Sequence, residues 1–241
     1  MFENRTYRKH HRKDGLVSFD ITVKETNLNI QADRDLSSKA VAYVLEIRHT
    51  LETYMAQHPS FAAALGPYAD PGPVPEAIYP MIEAGCLSNV GPMAAVAGMV
   101  AEYTGNKLLA HSREILVENG GDIFVKSDSD TVFSIYAGAS PFSMTTGIKI
   151  AKRAAPYGIC TSSGMVGHSK SFGKADAVTI LSDSCALADA AATSLGNRVT
   201  TPADIQPAID MGSRIPGILG IVIIKNDKIG AWGELELVSL Q

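Results

Sequence analysis

A glycine-rich polar group lies between two short apolar runs of the sequence, Ile115–Val117 and Ile123–Val125. Its members are Glu118, Asn119, Gly120, Gly121 and Asp122. Because glycine has no side chain, the pair lets the backbone approach a ligand closely, and Asp122 adds a carboxylate at the rim. Such a group is also an ordinary hairpin turn, and it is not a P-loop, since no Lys-Ser/Thr pair follows at the required spacing.

Hydroxyl side chains cluster at a second place, after the apolar run that ends at Cys160. The four residues that follow are Thr161, Ser162, Ser163 and Gly164. Hydroxyls and free backbone N–H groups at a strand end can hold phosphate oxygens, although these residue types are equally ordinary in loops. His168 lies four residues further along, and a histidine can serve as a base or a phosphate donor near neutral pH, so His168 and Asp122 are the two candidate catalytic residues, each as a base.

A third group lies in an alanine-rich segment, Cys185–Leu195, which is predicted to be a helix. Asp189 and Thr193 stand four residues apart, so their side chains share one helix face at about 5–6 Å between Cβ atoms. A carboxylate is costly to bury without a partner, and Mg²⁺ prefers oxygen ligands in an octahedral shell. The pair therefore predicts a magnesium site completed by a carbonyl, waters and a ligand phosphate. The alternative is that Thr193 bonds only to its own helix.

The elements that must position these groups follow from the apolar spacing. An alternating hairpin is predicted at Val17–Val23 and Leu28–Ala32, and a long helix from Asp35, as N-cap, to about Gln57. Shorter helices are predicted at Ile78–Ala84, at Gly91–Tyr103, which should be buried, and near Asp204–Asp210. Further strands are predicted at Thr131–Tyr136, Gly147–Ala151, Tyr157–Thr161 and Ala177–Leu181, and a last hairpin at Ile218–Ile224 and Ala231–Val238, turning at Asn226-Asp227.

These alternations predict an α+β fold with mixed, largely antiparallel sheets packed with helices, because hairpins mark antiparallel pairing. The stretch 66–75 is rich in proline and glycine and cannot continue a helix or a central strand. It is either a loop in a single domain spanning residues 1–241 or the boundary between two intimately packed lobes.

Composition excludes several classes of protein. A formal net charge of −4 argues against a nucleic-acid binder, since phosphate neutralisation favours a basic chain. The three widely spaced cysteines indicate neither a disulfide framework nor a thiolate zinc site. No basic-then-apolar leader follows Met1, and no apolar run reaches the ~20 residues of a membrane span. We therefore expect a cytoplasmic protein without a membrane partner, whose homo-oligomerisation the sequence leaves open.

The order of these groups resembles the ApbE-like superfamily, the relatives of FAD:protein FMN transferase. The resemblance rests on Ala97-Gly98, Glu118–Ile123, Thr161–Gly164 and Ala188–Thr193, and it runs from about Gly91 to Val199. The N-terminal ninety or so residues match only an uncharacterised branch of that superfamily. The fold that the resemblance implies is the ApbE-like α+β arrangement.

The resemblance also implies roles for the three groups. Asp189 and Thr193 would hold Mg²⁺, with a main-chain carbonyl near Gly91–Ala95, against the pyrophosphate of a flavin dinucleotide. The glycine-rich group would line the flavin pocket, with Gly120, Gly121 and Asp122 at the flavin. The segment Thr161–Gly164 would face the nucleotide. The implied ligands are thus Mg²⁺ and FAD or FMN.

Two positions depart from the transferase pattern. Ala97 stands where the transferases carry a lysine before the helix glycine, and His168-Ser169-Lys170-Ser171 replaces a His-x-x-Asp-Pro segment. The resemblance implies a protein that binds a flavin or another nucleotide or phosphate ligand through Mg²⁺, with FMN transfer from FAD as the related reaction. Two alternatives stay open: a non-flavin role in sulfur or amino-acid metabolism, which would draw attention to Cys160 and Cys185, and a catalytically inactive binding protein.

Overall fold

A computed structural model describes residues 13–69, 72–163 and 174–240 of the chain. The strands are β1 (Val17–Val23), β2 (Thr26–Ala32), β3 (Ile115–Asn119), β4 (Asp122–Lys126), β5 (Thr131–Ser134), β6 (Thr146–Ile150), β7 (Tyr157–Ser162), β8 (Ala177–Ser182), β9 (Ile218–Lys225), β10 (Lys228–Gly233) and β11 (Glu236–Ser239). The helices are α1 (Ser37–Gln57), α2 (Pro59–Ala63), α3 (Tyr79–Ser88), α4 (Val96–Leu108), α5 (Cys185–Gly196) and α6 (Ile205–Gly212). Short 3₁₀ turns lie at Pro92–Ala95 and Pro202–Asp204.

The strands form two sheets. The larger sheet has eight strands in the order β1-β2-β3-β4-β7-β8-β9-β10, and the smaller has three in the order β11-β6-β5. Every strand pair within the described ranges is antiparallel. The predicted α+β class with largely antiparallel sheets packed with helices is therefore confirmed.

The larger sheet separates two hydrophobic cores. Successive residues of a strand point to opposite faces, so Val117 and Phe124 join the core beneath the helices, whereas Leu116 and Ile123 join the core beneath the smaller sheet. The order of layers is helices, larger sheet, smaller sheet. Strands buried on both faces need apolar residues at every position, which explains the continuous run in β9.

The first hairpin and the long helix form close to where the sequence predicts them. The N-cap of α1 is Leu36 and not Asp35 as predicted, although the Asp35 carboxylate, one residue earlier, accepts a hydrogen bond from the Ser37 backbone N–H at 2.8 Å. The small-residue segment starts as the turn Pro92–Ala95 and continues as α4 to Leu108. Its Ala95, Ala101 and Leu108 side chains are fully buried, whereas Asn106 and Lys107 are exposed. The stretch 66–75 carries no helix or strand in its described part, and residues 70–71 lie outside the description.

The prediction of one continuous strand over Ala231–Val238 is wrong, because this segment is divided between β10 and β11. The hairpin turns at Asn226-Asp227 as expected, but β10 ends at Gly233, whose φ is 99°. A Cβ at this glycine would lie 2.1 Å from the Leu219 carbonyl oxygen, so the bend requires glycine. Beyond the bend, β11 leaves the larger sheet and pairs with β6 of the smaller one.

Within the ranges that the structure describes, no single helix has the length and apolarity of a membrane span. The helix α3 and the segment Pro92–Leu108 meet those criteria only as a pair that is bent by 107°.

Candidate functional site

The glycine pair forms the two-residue turn between β3 and β4. Gly120 and Gly121 have φ values of 71° and 111°, and Asn119 pairs with Asp122 across the turn. Positive φ at both central residues is the conformation of the tight hairpin turns that match the strand twist. The Thr161 backbone N–H donates to the Gly121 carbonyl at 3.1 Å. The turn and the hydroxyl-rich end of β7 therefore lie side by side.

Two side chains hold this turn in position. Glu118 is 6% exposed, and its Oε1 accepts a hydrogen bond from the Gly121 backbone N–H at 3.1 Å. Asn119 donates from Nδ2 to the Ala97 carbonyl at 3.0 Å, which ties the turn to the first residues of α4. Both side chains thus bond to the protein backbone, and the turn offers mainly its own backbone to a ligand.

We expect Glu118→Ala to lower the free energy of unfolding by about 1 kcal/mol, because the half-buried Gly121 N–H loses its acceptor. The variant Glu118→Gln keeps an oxygen acceptor of the same length and serves as the matched control, so it should lose less. Urea unfolding of the three proteins measures the difference. Equal stability of Glu118→Ala and Glu118→Gln would contradict this role.

An apolar cleft opens between the two sheets beside the turn, and the atom-free space of about 620 Å³ at this place includes open solvent outside the cleft. Its apolar walls are Ile123 and Ile159 from the larger sheet, with Phe133, Ile135 and Ile148 from the side of the smaller one. Its polar lining comes from Gly120, Gly121, Ser134, Tyr136, Thr161, Ser163 and Thr179. Apolar walls with a few polar groups are typical of sites for small organic molecules.

Asp189 lies on the helix side of the larger sheet, where α5 packs against α4. Its Oδ2 accepts a hydrogen bond from the Gly98 backbone N–H at 2.9 Å, and the Ala97 N–H also donates to this carboxylate. Both donors belong to the first turn of α4, where a helix leaves N–H groups unpaired. Burial raises the pKa of Asp189 to about 7, and the opposing influence comes from these backbone N–H groups.

The side-chain oxygens of Asp189 and Thr193 are ligands of the kind that a hard cation prefers. Thr193 lies one turn further along α5, and both residues are half-buried. Burial disfavours the ionised form of the Asp189 carboxylate, and the hydrogen bonds from neutral backbone N–H groups only partly compensate. A divalent ion beside the carboxylate would stabilise its charge further. In the part of the chain that the structure describes, no three His, Cys, Asp or Glu side chains converge as a metal site. Further ligands would therefore be carbonyls, for example of the turn Pro92–Ala95 that packs on α5, waters or phosphate.

The three groups lie on two sides of the larger sheet. Asp122 is opposite Cys160 in the strand register, and Cys160 belongs to the core beneath the helices. Asp189 accepts from the Gly98 N–H of α4, so this carboxylate and that of Asp122 both lie on the helix side. There their charges add to the effect of burial in raising the pKa of the Cys160 and Cys185 thiols. The cleft lies on the other side, and the glycine turn and the end of β7 lie between. Two predicted site residues, Gly164 and His168, are outside the described residues.

The two cysteines of this region are fully buried. The Cys160 thiol donates to the Cys185 carbonyl at 3.5 Å, and the Cys185 thiol donates to the Ile123 carbonyl at the same distance. Burial raises the pKa of both thiols, which keeps them protonated and poorly nucleophilic.

Sequence reasoning missed Glu102 of α4. Its Oε2 accepts hydrogen bonds from the Ser184 hydroxyl at 3.0 Å and the Ala186 backbone N–H at 3.2 Å, at the first turn of α5. Burial raises the pKa of Glu102, as it does for Asp189. Each helix therefore supplies a carboxylate to the first turn of the other. A charged residue in an apolar helix was the signal used for Asp189, and it applies equally to Glu102.

The fold of this chain is similar to that of two transferases of known structure. The flavin transferase ApbE from Vibrio cholerae has a TM-score of 0.56 at 14% identity and covers 91% of this chain and 97% of its own. The apo form of the Pseudomonas stutzeri flavinyl transferase ApbE has a TM-score of 0.57 at 14% identity and covers 90% and 94%. At such low identity these matches establish the fold alone.

Comparison of sequences gives the family. The UPF0280 protein of Methanocella arvoryzae is 39% identical over 214 residues, which is 88% of this chain and 87% of that protein. The UPF0280 protein of Methanocaldococcus jannaschii is 39% identical over 226 residues, which is 91% and 92%. The family model described as "AbpE bacteria" matches residues 8–227. The resemblance found in the sequence is confirmed: the chain belongs to this ApbE-like family.

Proposed function

We propose that the protein binds a flavin nucleotide, with the planar ring in the apolar cleft and the phosphate groups at the rim. The observation that carries this proposal is the packing of the Gly120-Gly121 turn against the end of β7 at the cleft. A turn without side chains lets a ligand approach the backbone closely, and the Ser163 hydroxyl, which also lines the cleft, offers a donor to phosphate oxygens. The apolar walls suit the ring.

We further propose Asp189 and Thr193 as ligands of Mg²⁺. When bound, Mg²⁺ would neutralise charge on the ligand's pyrophosphate and favour attack at phosphorus. Asp189 supports this assignment because its carboxylate is partly buried, has neutral donors and lies on the same helix face as the Thr193 hydroxyl.

The reaction that we propose is transfer of FMN from FAD, because the two proteins compared above that share this fold are flavin transferases. An acceptor hydroxyl oxygen forms a bond to the FMN phosphorus, the pyrophosphate bond to AMP breaks, and the hydroxyl proton passes to a base. Asp122 is our candidate base within the described residues, because it follows the turn directly and lies on the Asp189 side of the sheet. AMP is the leaving group.

We expect the purified protein to bind FAD with Mg²⁺ and to release AMP when an acceptor protein is present. Flavin fluorescence measures binding, chromatography measures AMP, and the same mixture with EDTA is the control. Flavin binding without AMP release would make it a binding protein rather than a transferase. Absence of both flavin binding and AMP release would reject the proposal and favour the non-flavin role with another anion.

A further inference from the structure

We propose that Thr161 and Thr179 together form the hydrogen-bonding anchor of the cleft and recognise the polar edge of the flavin ring. The inference rests on the proposed flavin site and deepens it. The two threonines are directly opposite each other on β7 and β8, and their hydroxyl oxygens are 2.9 Å apart. Both line the cleft, and Thr179 is only 3% exposed.

The neighbours of the pair make two hydroxyls unusual at this place. The cleft wall on the same sheet is built from isoleucine at positions 123 and 159, and valine would fill the space of a threonine while favouring a strand equally. Placing hydroxyls in an apolar wall costs free energy unless they form hydrogen bonds. A cross-strand pair satisfies this requirement only in part.

The hydrogen count leaves a donor for a ligand. Two threonine hydroxyls carry two hydrogens, and their mutual bond uses one of them. Within the ranges 13–69, 72–163 and 174–240, the two hydroxyls make no hydrogen bond other than the one between them. The hydrogen of the hydroxyl that accepts this bond therefore has no acceptor in those ranges. The oxygens also keep lone pairs. The pair can therefore donate one hydrogen bond to a bound molecule and accept another from it.

This capacity matches the flavin ring in particular. One end of the ring is a dimethylbenzene, which suits the walls formed by Phe133 and Ile148. The other end is a pyrimidine edge on which carbonyl oxygens alternate with an N–H group. A neutral donor and acceptor side by side bind such an edge, whereas a phosphate, whose oxygens only accept, would use the donor of the pair and leave its acceptor unused. Thr179 would thus determine which ring the cleft accepts.

The test compares Thr179→Val and Thr161→Val with the wild-type protein. Thr131→Val is the matched control, because Thr131 is also buried, at 7% exposed, and its hydroxyl is 2.6 Å from the Tyr157 hydroxyl, but it does not line the cleft. The probes are FMN and N3-methyl-FMN, which lacks the N–H of the pyrimidine edge. Fluorescence titration gives Kd, absorption spectra report hydrogen bonds to the ring, and thermal unfolding checks that each variant is folded.

We expect Thr179→Val to weaken FMN binding about 10-fold and to weaken N3-methyl-FMN binding less, because that probe has already lost the N–H that the pair accepts from and keeps only the carbonyl that it donates to. Thr161→Val should behave similarly, and Thr131→Val should bind FMN like the wild type. If the wild type binds FMN and Thr179→Val binds it equally well, the anchor is disproved while the flavin site stands. If the folded wild type binds no flavin, the proposed function fails and the anchor fails with it.

Discussion

Asp189→Asn is expected to remove the Mg²⁺ dependence of flavin binding and to flatten the pH dependence of stability between about pH 4 and about pH 7. Burial raises the pKa of Asp189 from 3.8 to about 7 in the folded protein. Between these values the folded state holds more protons than the unfolded state, so stability falls as the pH rises, by at most about 1.4 kcal/mol per pH unit. Above about pH 7 the folded protein bears the full cost of burying the ionised Asp189 carboxylate. Asparagine does not titrate, so the variant lacks this fall.

Mg²⁺ should act on the same group. A cation at Asp189 stabilises the ionised carboxylate and competes with the proton, so added Mg²⁺ should raise the melting temperature of the wild type more at pH 8 than at pH 5. Thermal unfolding across this range, with and without Mg²⁺, measures both effects. An Asp189→Asn protein that responds to Mg²⁺ as the wild type does would reject this residue as a ligand.

Asp204→Asn is the matched control for the pH experiment. Hydrogen bonds from the Thr201 and Thr200 backbone N–H groups lower the pKa of Asp204 to about 2. Its contribution to stability is therefore present above about pH 4 and is lost as the pH falls toward 2. Replacing it should lower stability by a constant amount above about pH 4 and change the slope of the profile only at the acid end, which separates a general loss of charge from the specific effect at Asp189.

The second large effect is expected for Gly98→Ala. A Cβ at Gly98 would lie 2.3 Å from the Cys185 carbonyl oxygen and 2.9 Å from the Asp189 Cβ, so the backbone of α5 must move away from α4. Overpacking of this kind costs about 1–3 kcal/mol, which exceeds the ~0.5–1 kcal/mol that alanine normally gains over glycine inside a helix. Urea unfolding should therefore give a clear loss of stability.

The variant Gly196→Ala separates the cost of overpacking from the gain in helix propensity. Gly196 also lies in α5, but the atom nearest to its Cβ position is 3.7 Å away, so alanine meets no obstacle. This variant should be as stable as the wild type or slightly more stable. If Gly98→Ala were to match it, the close contact between α4 and α5 would not be needed for the fold.

The local sequence pattern was sufficient to predict most helices and strands, but not to predict which strands pair with one another. The alternation in β1 and β2, the helical spacing in α1 and the glycine pair identified these elements because each signal lies within a few residues. The sheet that receives Glu236–Ser239 could not be predicted, since the bend at Gly233 depends on contact with Leu219 in another strand. Periodicity gives the two faces of a strand, but not the layer that covers each face.

The same limit applies to the candidate site. The sequence identifies the glycine turn, the end of β7 and Asp189, but it cannot tell that Asp189 and the cleft lie on opposite sides of the larger sheet. Thr179 gave no signal, because one threonine in the apolar run Ala177–Ser182 is an ordinary strand residue. Its significance comes from Thr161 across the strand pair and from walls supplied by distant segments.

The exchange of carboxylates between α4 and α5 has a consequence for how the chain folds. Asp189 reaches Gly98 across 91 residues of sequence, and Glu102 reaches Ala186 across 84. The N-cap of α4, Ala95, has no side-chain acceptor, and in α5 the Ser184 hydroxyl accepts locally only from the Leu187 N–H at 3.3 Å, so the first turn of each helix gains a further acceptor only when the other has docked. Closing so long a loop is entropically costly and slow. The two helices should therefore mature together and late, and the region around Asp189 should exist only when the whole intervening chain, including the glycine turn and β7, is already in place.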